Sequence, residues 1–225
     1  MGHLRALFAL AAAGLVCVAL SASASAREPP PTHQFVGSVS SEITLLTSEQ
    51  ELDFASIVIH CKGVKAVRTH KKSAFPSLAI LVRVGFIKCK TGETELGHKH
   101  LPGSKATVGG PLEIEYQAGG EPNATIVNSV AVPVTFGGGL EGCTISISTS
   151  PATDEAKYKN TEAPAKNRKV FPTGIQHLVS ITNSFERIPY TIGGGPCETI
   201  KKTTKEGEYF GTLLTGLKTG DLSWE

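Results

Sequence analysis

Apolar side chains recur at every second position through much of this chain, the period of a strand with one buried face. Leu112, Ile114 and Tyr116 alternate with Glu113 and Glu115, and His177, Val179, Ile181 and Phe185 continue the pattern further on. Leu78, Ile80, Val82, Val84 and Phe86 line one face of a strand that ends at Cys89. Leu52 to Cys61 (LDFASIVIHC) is rich in β-branched residues and predicts a single strand ending in a cysteine. Phe35 to Leu46 predicts one or two short strands, and Tyr209 to Leu214 and Leu217 to Trp224 predict closing ones. Outside residues 1–26 no window of helical length keeps a period of 3.6. The expected fold is all-β, an antiparallel sandwich-like arrangement held by disulfides.

One stretch occurs twice. Asn128 to Cys143 reads NSVAVPVTFGGGLEGC, and Asn183 to Cys197 reads NSFERIPYTIGGGPC. Each has Asn-Ser, an apolar run, Pro, a residue, Thr, an apolar residue, three glycines and a cysteine. In the first copy Val130, Val132, Val134 and Phe136 share a face; in the second, Ile188, Tyr190 and Ile192 do. Pro133 and Pro189 lack a ladder donor and point to edge strands or bulges. The glycines can take positive φ and turn the chain. Two duplicated β units are the reading, offset by small insertions. A phosphate-binding loop is excluded, because no Gly-Lys-Ser/Thr follows and no helix opens there. No cofactor is implied.

Residues 1–26 predict an export signal. Arg5 is the charged start, Ala6 to Leu20 the apolar run, and Ala24-Ser25-Ala26 the small-residue cleavage site. Cys17 leaves with it. The mature chain, 27–225, is read as one β-rich domain, with 102–110 the place where an internal division would fall. It keeps four cysteines: Cys61, Cys89, Cys143 and Cys197. An even number in an exported chain implies disulfides, and sequence alone permits three connectivities. Cys61–Cys89 and Cys143–Cys197 are preferred, each joining consecutive strand-plus-cysteine units. No two cysteines have zinc-site spacing. Without Arg5, 21 Lys and Arg stand against 20 Asp and Glu, so net charge names no partner. No later apolar run is long enough to span a bilayer.

Candidate chemistry is sparse. Lys62, Lys65, Arg68, Lys71 and Lys72 crowd into Lys62 to Lys72 without an acid; a solvated loop is favoured over contact with an anionic surface. No aromatic interleaves these charges, and nucleic acid is not expected as a partner. His98 and His100 lack a third ligand, so no metal site is assigned. Glu113 and Glu115 share a face roughly 7 Å apart at ~3.3 Å per residue. That spacing suits an inverting glycosidase, but it is equally the wet side of an ordinary sheet. Asn123-Ala124-Thr125 is a glycosylation sequon. Ser150 to Pro172 predicts a long polar excursion, with one poor edge strand near Tyr158.

The second doubled stretch continues through Tyr190-Thr191, Gly193 to Gly195, Cys197 and Gly207-Glu208-Tyr209-Phe210-Gly211. This run resembles a group of secreted, β-rich, cysteine-containing proteins of actinobacteria to which no activity is assigned. The resemblance implies an all-β fold outside the cytoplasm and carries over no functional residues. The expected function is a non-enzymatic secreted binding or surface-interaction module, acting on an extracellular or cell-surface ligand. The alternatives are an extracellular hydrolase without a recognisable motif, and an inhibitor that presents a loop. Neither Gly-x-Ser-x-Gly nor His-Glu-x-x-His is present, and no catalytic residue is assigned. Sequencing the exported protein from its N-terminus is expected to begin at Arg27; recovery of an intact 1–26 segment would refute the signal.

Overall fold

Among the described residues the alternation forms fifteen strands. They are β1 (Phe35–Gly37), β2 (Ile43–Phe54), β3 (Ile57–Ala66), β4 (Ala79–Thr91), β5 (Thr94–Leu96), β6 (Lys99–Leu101), β7 (Lys105–Val108) and β8 (Leu112–Gln117). The rest are β9 (Asn123–Ile126), β10 (Val132–Phe136), β11 (Thr144–Ile147), β12 (Ala152–Glu162), β13 (His177–Gly193), β14 (Glu206–Leu217) and β15 (Leu222–Trp224). The computed structural model describes residues 33–37, 42–55, 57–67, 75–92, 94–96, 99–101, 103–162, 177–199, 206–218 and 220–225. Residues 1–26, read above as an export signal and including Cys17, the basic residues Arg68, Lys71 and Lys72, and 163–172 of the polar excursion lie outside them. Among the described residues the only helical pieces are short 3-10 turns, and no helix is long and apolar enough to cross a membrane.

The sheet closes on itself, which corrects the sandwich expectation. β2, β3 and β4 pair in succession, β13 pairs β14, and β14 returns to pair β2. Between β4 and β13 the wall consists of three long strands, each broken midway. β7 and β8 both run along one edge of β4. β9 and β10 pair with β8 and β7, and β12 and β11 pair with β9 and β10. β13 accepts β12 on its first half and β11 on its last. Counting each broken strand once gives eight antiparallel staves in chain order, an up-and-down barrel. β1 pairs β15, and β5 pairs β6 as a separate hairpin.

Local sequence explains several departures from expectation. The stretch Leu52 to Cys61 is not one strand: the chain turns at Ala55, whose φ is 51°, so Leu52 and Phe54 face inward before the turn and Ile57, Ile59 and Cys61 after it. Leu78 precedes its strand and is 55 % exposed, and Val130 precedes β10 and is 69 % exposed. Neither proline marks an edge strand. The carbonyls of Pro133 and Pro189 accept the N–H groups of Gly109 (2.7 Å) and Ser148 (2.8 Å), each just past the end of a neighbouring strand. In an extended chain a residue's N and C=O point to the same side, so each missing donor faces a place where the ladder has already ended. The polar excursion is half wall: β12 supplies an eleven-residue stave that buries Ala152, Ala156 and Tyr158.

The interior is a single filled layer of inward side chains, while Glu115, Gln117, Lys157 and Lys159 are among the outward ones. Apolar inside and polar outside is the reverse of a membrane-spanning barrel. The stretch Gly207 to Gly211 lies in β14, and its inward row reads Gly207, Tyr209, Gly211. A side chain at Gly207 would strike the Phe54 ring, and one at Gly211 the Gln50 amide. Both glycines therefore make room for groups packed across β14. Tyr209 Oη donates to Gln50 Oε1 at 2.7 Å, and Gln50 Nε2 donates to the Thr212 carbonyl at 3.1 Å.

Both cystines are present. Cys61 and Cys89 are directly opposed on β3 and β4 and face inward; Cys143 and Cys197 follow the two glycine turns at the opposite end from β1 and β15. Gly194 and Gly195, both at positive φ, pack against the Glu141–Gly142 backbone, so the two glycine turns meet while β11 separates the strands before them. On the loop-entropy account, closures of 28 and 54 residues stabilise by roughly 3.5–4 kcal/mol each.

The buried phenols give the first structural prediction. Burial, and then the neighbouring Tyr209 phenol, push the Tyr116 pKa well above its ordinary value, and burial pushes that of Tyr209 up likewise. Asn183 lies beside both hydroxyls, yet neither its amide atoms nor Tyr116 Oη makes a well-formed hydrogen bond. Tyr116→Phe is expected to leave stability within about 0.5 kcal/mol, whereas Tyr209→Phe, which removes the donor to Gln50, is expected to cost about 1–2 kcal/mol. Above about pH 10 the unfolded chain loses tyrosine protons that the folded barrel keeps. Stability is then full below that pH and falls above it, and the fall is expected to be shallower in Tyr209→Phe. Denaturant midpoints across this range check both statements.

Candidate ligand groove

The broken staves leave a gap in the barrel wall. β8 covers β4 from Ala79 to Val84, and β7 covers Cys89 and Lys90. Between these ladders Gly85 to Lys88 have no partner strand on this edge. The register explains the gap: Val84 opposes Leu112 and Cys89 opposes Ala106, so five steps along β4 match six along β7 and β8. The extra residue is absorbed at Gly109-Gly110-Pro111, a bulge of the kind glycines permit. β4 distorts too. Phe86 and Cys89 both face inward, an odd spacing that a regular strand forbids, and Lys88 carries the change at φ 53°.

A groove of about 500 Å³ lies at the border of this gap, lined by Phe86, Lys88, Cys89 and Lys90 of β4 and by the segment from Gly103 to Val108. Its rim carries Lys88, Lys90 and Lys105, all exposed. Lys90 and Lys105 are directly opposed across β4 and β7. Lys62 stands opposite Lys88 in the register set by Cys61 with Cys89 and Gly63 with Ile87. Among the described residues no carboxylate pairs with these lysines. Elsewhere among the described residues the ion pairs include Arg83 with Glu113 (3.0 Å) and Lys218 with Glu42 (3.3 Å), and His60 Nδ1 lies 3.4 Å from a Glu51 carboxylate oxygen.

The residues singled out in the sequence are distributed differently. Lys62 and Lys65 belong to strand β3 and not to a loop. Glu113 is held by Arg83 and accepts the Ser129 N–H at 3.1 Å, a structural role on the outer face. Asn123 lies in β9 with its amide on the Glu121 carbonyl. His98 lies outside the described residues, as does the side chain of His100. Among the described residues no three of His, Cys, Asp and Glu converge in a way that would hold a metal. Lys88, Lys90 and Lys105 escape a linear reading because they form no run; only the pairing of β4 with β7 unites them. Compared with known proteins, the chain matches no family model, no curated protein and no solved structure.

Lysine is disfavoured at these positions on structural grounds. A side chain at positive φ strains the backbone, and glycine relieves it. Like charges directly opposed across strands destabilise by a few tenths to about 1 kcal/mol. Lys88→Gly is therefore expected to raise unfolding stability by roughly 0.5–1 kcal/mol, and Lys90→Glu by up to about 1 kcal/mol. Chemical denaturation of the two variants checks this. A loss above about 1 kcal/mol in either would show that the lysine stem packs as structural material.

Proposed function

We propose that this protein is a non-catalytic binding module, exported from the cell, whose wall groove takes an anionic ligand outside the cell or at its surface. One observation carries the reading: unpaired lysines converge on a concave site at positions where backbone strain and mutual repulsion disfavour them. Residues kept against local stability are expected where function needs them. The disulfides are consistent with an oxidising compartment, and a stapled barrel is a rigid platform for a site of this kind. Catalysis needs acids, bases or nucleophiles aimed at a common point, and besides its lysines the groove carries the hydroxyl residues Ser104 and Thr107, with no histidine or carboxylate among the described residues that line it.

Equilibrium binding of an anionic panel (inorganic phosphate, citrate, decanoate and dextran sulfate), with neutral dextran as control, tests this at low and high salt. At least one anion is expected to bind, more weakly at high salt because exposed charges are screened. Lys90→Glu and Lys105→Glu are each expected to weaken it about tenfold, close to 1.4 kcal/mol, with folding intact. Binding that ignores both substitutions, or no binding by any anion, would overturn the reading.

A further inference from the structure

The groove has two chemically different parts, and together they define the class of ligand. Its rim is the cationic set Lys88, Lys90 and Lys105. Its floor is apolar and belongs to the barrel interior: Phe86, Cys89 and Ala106 keep 8 %, 6 % and 4 % of their surface exposed, whereas Ile80, Val82 and Val84 on the fully paired half of β4 keep 2 %, 1 % and 0 %. Of the floor residues, Phe86 lies in the unpaired stretch of β4, while Cys89 and Ala106 oppose each other on the adjoining β4–β7 ladder. We infer that the ligand is an amphipathic acid, with its anionic head among the three lysines and its apolar tail against Phe86, Cys89 and Ala106. This rests on the reading of the groove as an anion site.

The arrangement of charge argues for one head group. Lys90 and Lys105 are a directly opposed pair, whose Cβ atoms in such a ladder stand about 5 Å apart. Lys88 is two residues along β4, so three ammonium groups on long flexible stems can meet at one carboxylate. A polyanionic chain would be served by cations spaced along a track. Along the Lys105–Lys90 row the next positions are His60 and then Glu51, so the basic track ends there, and Lys62 adds a cation beside Lys88 alone. An apolar segment laid over that floor removes hydrocarbon surface from water at about 25 cal/mol per Å². A groove of about 500 Å³ falls within the range of small-molecule sites, roughly 300–1,000 Å³.

The test separates head from tail. Calorimetric titration compares decanoate below its micelle concentration, decanol as the same tail without charge, acetate as the head without a tail, and dextran sulfate as a polyanion. The intact protein and Lys90→Glu are titrated in parallel. Decanoate is expected to bind, with decanol and acetate each at least about tenfold weaker. Lys90→Glu is expected to weaken decanoate about tenfold and leave decanol unchanged. Acetate or decanol binding as tightly as decanoate would remove the tail or the head from the account. Binding of dextran sulfate alone, lost in Lys90→Glu, would refute the amphipathic ligand while leaving the anion site standing. Failure of every anionic probe would remove both.

Discussion

The ladder between β14 and β2 is the contact on which the barrel depends. β2 begins at Ile43 and β14 ends at Leu217, and their pairing from Glu208–Asp53 to Leu217–Ile43 joins the two ends of an otherwise open sheet. An open sheet of eight staves would present two unpaired edges and one bare apolar face. Closing it removes both edges and turns that face inward, so the same side chains become a core without any second layer. Everything inside must then fit a cylinder of fixed girth. That requirement explains why β14 carries glycine at inward positions 207 and 211. Two bulky partners from β2, Phe54 and Gln50, reach over the backbone there. The Tyr209 hydroxyl between them ties β14 to Gln50 at the seam itself.

The two halves of the wall meet the closure requirement differently. β2, β3, β4, β13 and β14 are long and continuous, each at least ten residues. The opposite side is made of three staves broken at 109–111, 127–131 and 148–151, each with one piece on either side of the break. Broken staves let the wall bend sharply, which a barrel of this size needs, and they leave short stretches of backbone without a ladder. Cys143–Cys197 fastens the end of the barrel where the glycine turns stack. Cys61–Cys89 crosses a ladder that already exists, on the side of β4 away from the gap. The wall is reinforced next to its weakest interval.

Much of the inward layer is legible in the sequence because strand alternation is a local property. Leu112, Ile114 and Tyr116, or Val179, Ile181 and Phe185, need only their neighbours to declare a face. Closure is not local. Whether β14 pairs with β2 or begins a second sheet depends on residues more than 150 positions apart, such as Leu213 and Thr47, and no period records that. Phase shifts hide strand ends as well. At Ala55 the inward set changes from even to odd numbers, which marks a hairpin inside what reads as one apolar run. β12 is only partly legible: a strand near Tyr158 is expected, but Lys157, Lys159 and Asn160 face outward from a segment whose inward residues are mostly small, so its length and its pairing on both edges, with β9 and β13, do not show.

The groove was illegible for the same physical reason that it exists. Lys88 and Lys90 flank Cys89 and look like the wet face of a strand, while Lys105 sits beyond an intervening hairpin. Bringing Lys105 opposite Lys90 takes the register of β7 on β4, and exposing Phe86 beneath them takes the extra residue at Gly109-Gly110-Pro111. One inserted residue therefore does three things. It breaks the β7–β8 stave, it coincides with the change of phase at Lys88, and it opens the apolar layer directly under the cations. Lys90 and Lys105 are paired at the border of the gap, and Phe86 sits in the unpaired stretch beside them. Charge above and hydrocarbon below are consequences of a single register change, so the site and the fold's main irregularity are the same feature.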